Sequence, residues 1–184
     1  DNYATVTFSD IPASDGRRIS IGWMSNWQYA QVVPTKVWRS AMTLPRELQL
    51  ISENNQYILT SEPVKELEKL REKATELKPE LIKDKLEFDQ LAQPLLPLEL
   101  SIKFTLPATE ATNDFGIELY NSKGENLLIG YDKAKAQFYI NREKSGPSDF
   151  SKDFAGMHTA PMIMGSEITM HLFIDAASVE LFTA

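Results

Sequence analysis

Residues 19–48 read ISIGWMSNWQYAQVVPTKVWRSAMTLPREL and contain all three tryptophans of the 184-residue chain, Trp23, Trp27 and Trp38. Apolar residues at Ile19, Ile21 and Trp23 recur with period two, the mark of a half-buried strand. That strand runs into a polar and aromatic cluster, Met24, Ser25, Asn26, Trp27, Gln28 and Tyr29. A second apolar run, Val37 to Leu44, predicts another strand. Flat aromatic faces beside amide side chains at a strand end suit a sugar, whose ring stacks while its hydroxyls take hydrogen bonds. The same residue types also pack in β cores and interfaces, and spacing alone leaves both readings open.

Outward from this stretch the pattern stays β. Asp1 to Asp10 alternates, with Tyr3, Val6 and Phe8 as expected packed positions, and Ser14, Asp15 and Gly16 supply the turn into the strand Arg17 to Trp23. With Val37–Leu44 third and Gln56–Thr60 fourth, four consecutive antiparallel strands make one propeller blade. From Glu62 to Arg71 the pattern becomes EPVKELEKLR, read as a short connecting helix opened by Pro63. The charged run continues to Lys85. A coiled coil through Val64, Leu67, Ala74, Leu77 and Leu81 is the rival reading, but it is too short and is broken by Pro79. A linker is the better reading.

After Leu86 the alternation Leu98, Leu100, Ile102, Phe104, Leu106 is clean, and Phe115, Ile117, Leu119 repeats it. Further strands are expected at Leu127–Tyr131, Ala136–Ile140, Ile168–Ile174 and Val179–Phe182, with Gly146–Pro161 as a connection. The expected fold is all-β, a blade followed by a sandwich. Its divisions are 1–61 for the blade, 62–85 for the linker with its helix, and 86–184 for the sandwich.

Composition narrows the function. A net charge of -7 argues against a nucleic-acid groove or an anionic membrane surface as partner. The absence of cysteine excludes disulfides, thiolate metal sites and cysteine nucleophiles. No apolar run approaches the roughly 20 residues that cross a bilayer as a helix. His158 and His171 are the only histidines, and neither has an acidic or histidine neighbour at ligand spacing, so no metal and no cofactor is expected. His171 falls on the outward phase of its strand and is expected to be solvated, and His158 to make local hydrogen bonds.

The segment GRRISIGWMSNWQYA (Gly16–Ala30), followed by PT at Pro34 and Thr35 and by WRSAMTLPREL (Trp38–Leu48), resembles a conserved segment of glycoside hydrolase family 32. These are the fructan-cleaving enzymes that include levanases, inulinases and invertases. NREKSG (Asn141–Gly146), FAGMHTAP (Phe154–Pro161) and FIDAASVELF (Phe173–Phe182) resemble landmarks of the family's C-terminal sandwich, and Glu72–Pro97 is the weakest part. The resemblance implies the last blade of a five-bladed propeller, followed by the sandwich, in a retaining β-fructosidase.

It also implies what is missing. The family's WMNDPNG-like, RDP and EC motifs, which carry the nucleophile, a second aspartate and the acid/base glutamate, do not occur. The one Asn-Asp pair, Asn113 and Asp114, is followed by Phe115. Retention needs two carboxyl groups about 5 Å apart, one ionised and one protonated, so these residues by themselves are expected to be inactive. The resemblance implies substrate contact by Trp23, Asn26 and Trp27, on the rim of a fructose pocket. It implies a pocket-lining place for Asp1, which as the first residue is also expected to fray.

The partners so implied are a fructan or fructo-oligosaccharide, the remaining propeller blades of the same protein, and no nucleic acid or membrane insertion. The parent is expected outside the cytoplasm, its export signal upstream of Asp1. An orphaned blade and an open sandwich edge after Phe182 would favour self-association, or addition of the N-terminal strands to the sandwich. The rival to a hydrolase piece is a non-catalytic carbohydrate-binding or structural β-sandwich module. It would want an exposed aromatic platform, for which the sandwich offers only Tyr120, Tyr131 and Tyr139 as polar aromatics.

Overall fold

A computed structural model describes residues 1–53, 55–88, 96–106, 114–162 and 165–183. Asn113 lies outside them, as do residues 89–95 of the weakly matching segment. Among the described residues eleven strands form three sheets, accompanied by one short helix. The first sheet has the order β1(Tyr3–Thr7), β2(Arg18–Trp23), β3(Arg46–Glu53), β4(Gln56–Pro63). A 3₁₀ helix, Lys65–Leu70, follows. The sandwich strands are β5(Leu98–Thr105), β6(Phe115–Tyr120), β7(Asn126–Asp132), β8(Gln137–Asn141), β9(Met157–Pro161), β10(Glu167–Asp175) and β11(Ser178–Thr183). They form one sheet ordered β11-β10-β5 and another ordered β6-β7-β8-β9. The chain is all-β, and among the described residues no strand of the first sheet pairs with a sandwich strand.

Contacts group the residues into two compact units, one of 1–6, 21–43 and 103–168, the other of 7–20, 44–102 and 169–184. In the first, Phe104, Phe115, Tyr131 and Phe138 form a chain of ring contacts with centroids 4.9, 5.9 and 5.1 Å apart. Ile129, Tyr131 and Phe138 are buried there, and the Tyr131 hydroxyl donates to the Met162 carbonyl at 2.8 Å, so this ring enters the core without an unmet polar group. The β6–β7 turn is closed by Asn121, whose Oδ1 accepts from the Lys123 and Glu125 amides. Gly124 supplies the left-handed residue that the turn requires, at φ +79°.

In the second unit Met170, Leu172 and Ile174 alternate inward along β10, which pairs with β11 through Leu172↔Leu181 and Ile174↔Val179. Glu180 of β11 is buried. Its carboxylate accepts from the Leu44 amide at 2.8 Å and from Arg46 at 2.5 Å, and the Arg46 guanidinium also lies over the Phe182 ring.

Several expectations are corrected. Val37–Leu44 is not a strand: Val37 and Trp38 are exposed, Ser40 takes φ +66°, and only Met42 bridges, to Trp23. Its apolar residues have no buried face to alternate toward, and the third strand forms instead at Arg46–Glu53. Tyr3, Val6 and Phe8 are exposed rather than packed, since neither face of β1 is buried at any residue. The expected connection Gly146–Pro161 contains β9, which is exposed at every residue and so lacks the alternation that marks a buried face. The connecting helix is a single 3₁₀ segment, and Leu81 of the rejected heptad is 84% exposed.

Candidate functional site

The cluster after β2 is built from the backbone up. Gly22 lets the chain ahead of β1 approach closely: a Cβ there would lie 1.8 Å from Asn2 Oδ1 and 2.8 Å from Thr5 Oγ1, two side chains that are themselves hydrogen-bonded. The Gly22 amide donates to Thr43 Oγ1 at 3.0 Å, and the Met24 amide to the Ala41 carbonyl at 2.8 Å. So braced, β2 delivers Trp23 into a run of edge-on rings. Tyr3 and Trp23 have centroids 6.2 Å apart, and Trp23 and Trp27 have centroids 5.2 Å apart. Trp23 is half-buried, whereas Trp27 is 67% exposed.

Asn26 shapes the turn that follows. Its Oδ1 accepts from the Gln28 amide at 2.8 Å and its carbonyl from the Ala30 amide at 3.0 Å, while its Nδ2 donates to Asp1 Oδ2 at 2.9 Å. Asp1 is not frayed: its side chain is 14% exposed and also accepts a short hydrogen bond from the Tyr29 hydroxyl. Arg142, just after β8, donates from Nη2 to that hydroxyl at 3.3 Å and lies 3.8 Å from Asp1 Oδ2. Its Nε donates to the Phe154 carbonyl at 2.6 Å, and the guanidinium sits 4.3 Å from the Phe154 ring centroid. Burial pulls the Arg142 pKa below its usual value, against the pull of Asp1 in the other direction.

His158 reaches beyond its own segment: Nε2 is 4.0 Å from Asp1 Oδ1. Partial desolvation of a side chain that is still 52% exposed, reinforced by Arg142, holds its pKa below the ordinary imidazole value. The structure thus brings Trp23, Asn26 and Trp27 together with Asp1, which the resemblance had also singled out, and it adds Tyr29, Arg142 and His158. An exposed indole beside an oriented amide can bind a polar ring. A single carboxylate held by Asn26, Tyr29 and Arg142 cannot act as the acid and nucleophile of a glycosidase pair.

His171 is not solvated as expected. Its Nε2 lies 2.7 Å from Glu99 Oε1, and its ring is tilted against Phe173 with centroids 4.6 Å apart. Arg71 grips the same carboxylate with two hydrogen bonds of 2.7 and 2.6 Å, and this, followed by His171, keeps Glu99 ionised below the usual range. Among the polar aromatics of the sandwich Tyr131 is buried and Tyr120 is exposed, so these rings do not build a platform. Among the described residues no group of three acidic, histidine or cysteine side chains could hold a metal ion, and no helix is long and apolar enough to cross a membrane.

The family model described as Glycosyl hydrolases family 32 N-terminal domain matches residues 1–63, and that described as Glycosyl hydrolases family 32 C terminal matches residues 66–184. A levanase of Bacillus subtilis (strain 168) is 36% identical over 184 residues, which are 99% of this chain and 27% of the relative. An extracellular exo-inulinase of Aspergillus niger is 31% identical over 188 residues, 99% of this chain and 34% of its own length. The solved exo-inulinase of Aspergillus awamori superposes with a TM-score of 0.70 at 24% identity, covering 100% of this chain and 36% of that one. The chain therefore spans about a quarter to a third of the length of these relatives.

Proposed function

The chain belongs to glycosyl hydrolase family 32, and from that premise we propose that the protein it represents hydrolyses β-fructofuranosyl linkages of fructans or sucrose with retention. In this reading the two catalytic carboxyl groups lie in the part of the relatives' length that these 184 residues do not span. The 184 residues contribute the pocket rim, with Trp27 and Trp23 stacking against the fructosyl ring and Asn26 meeting its hydroxyls. The observation that carries the reading is the exposed Trp27 indole set edge-on to Trp23 and adjoining an amide whose orientation is fixed.

The same reading divides the chain into blade (1–61), linker (62–85) and sandwich (86–184), and sets the protein outside the cytoplasm, where the exo-inulinase relative is named as acting. The exposed apolar hairpin β3–β4 meets other blades in the whole protein, and in the isolated 184 residues it drives self-association. Sedimentation of those residues as a monomer at all concentrations would contradict that.

The test of the activity is incubation of the full-length protein with sucrose, inulin and levan while released fructose is followed by proton NMR. The expected result is release from at least one of them with the β-anomer appearing first. No release from any would overturn the proposal, and first appearance of the α-anomer would overturn retention.

A further inference from the structure

Asn26 carries an ambiguity that its surroundings resolve. A side-chain amide has a donor end and an acceptor end of nearly the same shape, and a half-turn exchanges them. Here Nδ2 faces the Asp1 carboxylate at 2.9 Å, and Oδ1 faces the Gln28 amide at 2.8 Å. A carboxylate accepts only, so it fixes which end is which. Among the described residues the Asp1 carboxylate and the Gln28 amide are the two partners of the Asn26 amide, and they fix the directions of its second hydrogen and second lone pair. Trp27 lies within the turn that the Gln28 bond closes, so its backbone is fixed by the same contact.

Asp1 accepts from Asn26 and from the Tyr29 hydroxyl, and Arg142 stands behind that hydroxyl, 3.8 Å from the carboxylate. Its guanidinium is anchored by the Phe154 carbonyl at 2.6 Å and by the Phe154 ring face at 4.3 Å, and it donates to the Tyr29 hydroxyl at 3.3 Å. That hydroxyl in turn donates to Asp1 Oδ2, the same oxygen that Asn26 uses. The Tyr29 ring meets Phe154 edge-on at 5.3 Å, so the hydroxyl cannot swing away without breaking a packed contact. Arg142 and Asp1 are each 14% exposed, which leaves their attraction weakly screened.

We propose that Arg142 is a positioning residue for the sugar-facing rim, acting through Tyr29 and Asp1 to set the amide of Asn26 and the turn that carries Trp27. It touches no substrate. The inference rests on the assignment of Asn26 and Trp27 to substrate contact made above, and it names a residue far along the chain on which that contact depends.

The test uses the full-length protein and a fructoside that it cleaves, with KM, kcat and melting temperature measured for Arg142→Gln, Arg142→Lys, Asn26→Ala and the double variant Arg142→Gln/Asn26→Ala. Arg142→Gln is expected to raise KM about tenfold with kcat within about threefold, and Arg142→Lys to recover most of the loss. The double variant is expected to bind no worse than Asn26→Ala alone, because a residue that works through Asn26 has nothing left to position. Should Arg142→Gln fail to fold, Tyr29→Phe removes only the relaying hydroxyl, and it is expected to raise KM with a modestly lowered melting temperature in a protein that still folds. An unchanged KM with a lowered melting temperature, or KM effects that multiply in the double variant, would overturn the positioning role while leaving the proposed activity standing. A wild-type protein that cleaves no fructoside would overturn both.

Discussion

The β3–β4 hairpin and strand β10 are written in the same apolar alphabet and meet opposite fates. In β10, Met170 and Leu172 are fully buried and Ile174 nearly so. In the hairpin, Leu50 and Leu59 face each other across the ladder and are each 65% exposed, and Tyr57 is 78% exposed. Ile51 and Ile58 pair on the opposite face and are exposed as well. Alternation therefore reports that a strand has a face to bury, not that its cover is present. In β10 one face alternates inward and the other carries His171 and Phe173. In the hairpin both faces are apolar, as they are in a strand buried between two layers.

The sharpest way to break this comparison is to truncate one residue of each kind. Leu172→Ala should cost the isolated 184 residues about 3 kcal/mol in urea unfolding, from lost transfer energy and the cavity left behind. Leu59→Ala should cost less than about 0.5 kcal/mol there, because little of that side chain leaves water on folding. In the full-length protein the Leu59→Ala cost should rise toward that of Leu172→Ala. Equal costs in the isolated residues would mean that the hairpin is already covered.

Next in size is Glu180, which ties β11 to the segment after the tryptophan cluster. Glu180→Gln should cost about 2 kcal/mol, since the half-buried Arg46 is left without its carboxylate, and Glu180→Leu combined with Arg46→Met should recover much of it. If the single variant were neutral by urea unfolding, the pair would be ornamental.

Smaller effects come from titration. The folded state holds His158 below its ordinary pKa, so the unfolded chain binds the proton more readily. Stability should then rise with pH through this window and fall as pH drops below about 6.5. His158→Gln should flatten that slope in melting curves taken from pH 7 to pH 5. The smallest effect is the surface clasp in which Arg17 binds Asp15 and Glu66, both held at about 2. Its stabilisation is present above the ordinary carboxylate range and is lost as pH falls through about 2. Arg17→Met should lower the melting midpoint slightly at pH 7 and leave it unchanged near pH 2, which flattens that acid sensitivity.

Much of the fold is legible in the sequence wherever a strand buries one face. β5, β6 and β10 follow their alternation almost to the residue. β9 does not, because it is held by backbone pairing to β8 and buries nothing, so no pattern is imposed on its side chains. Val37–Leu44 misleads for the converse reason, since apolar residues there read as a strand and are exposed. At the candidate site the order of residues 16–30 points to Trp23, Asn26 and Trp27. The network that orients them is not local: Asp1 and Arg142 lie far apart in the sequence, and nothing in period or spacing links them. The arginine of NREKSG was the available signal, an arginine beside a strand end in a segment already marked by resemblance.

The central claim is that the exposed indole of Trp27 meets the fructosyl group. The most direct measurement is fluorine NMR of the full-length protein labelled with 5-fluorotryptophan, titrated with 1-kestose, with each resonance assigned by its loss in a Trp→Phe variant. The account predicts a saturable shift of the Trp27 resonance, with the Trp38 resonance unmoved. A Trp27 resonance that stays in place while the protein is saturated with ligand would contradict it.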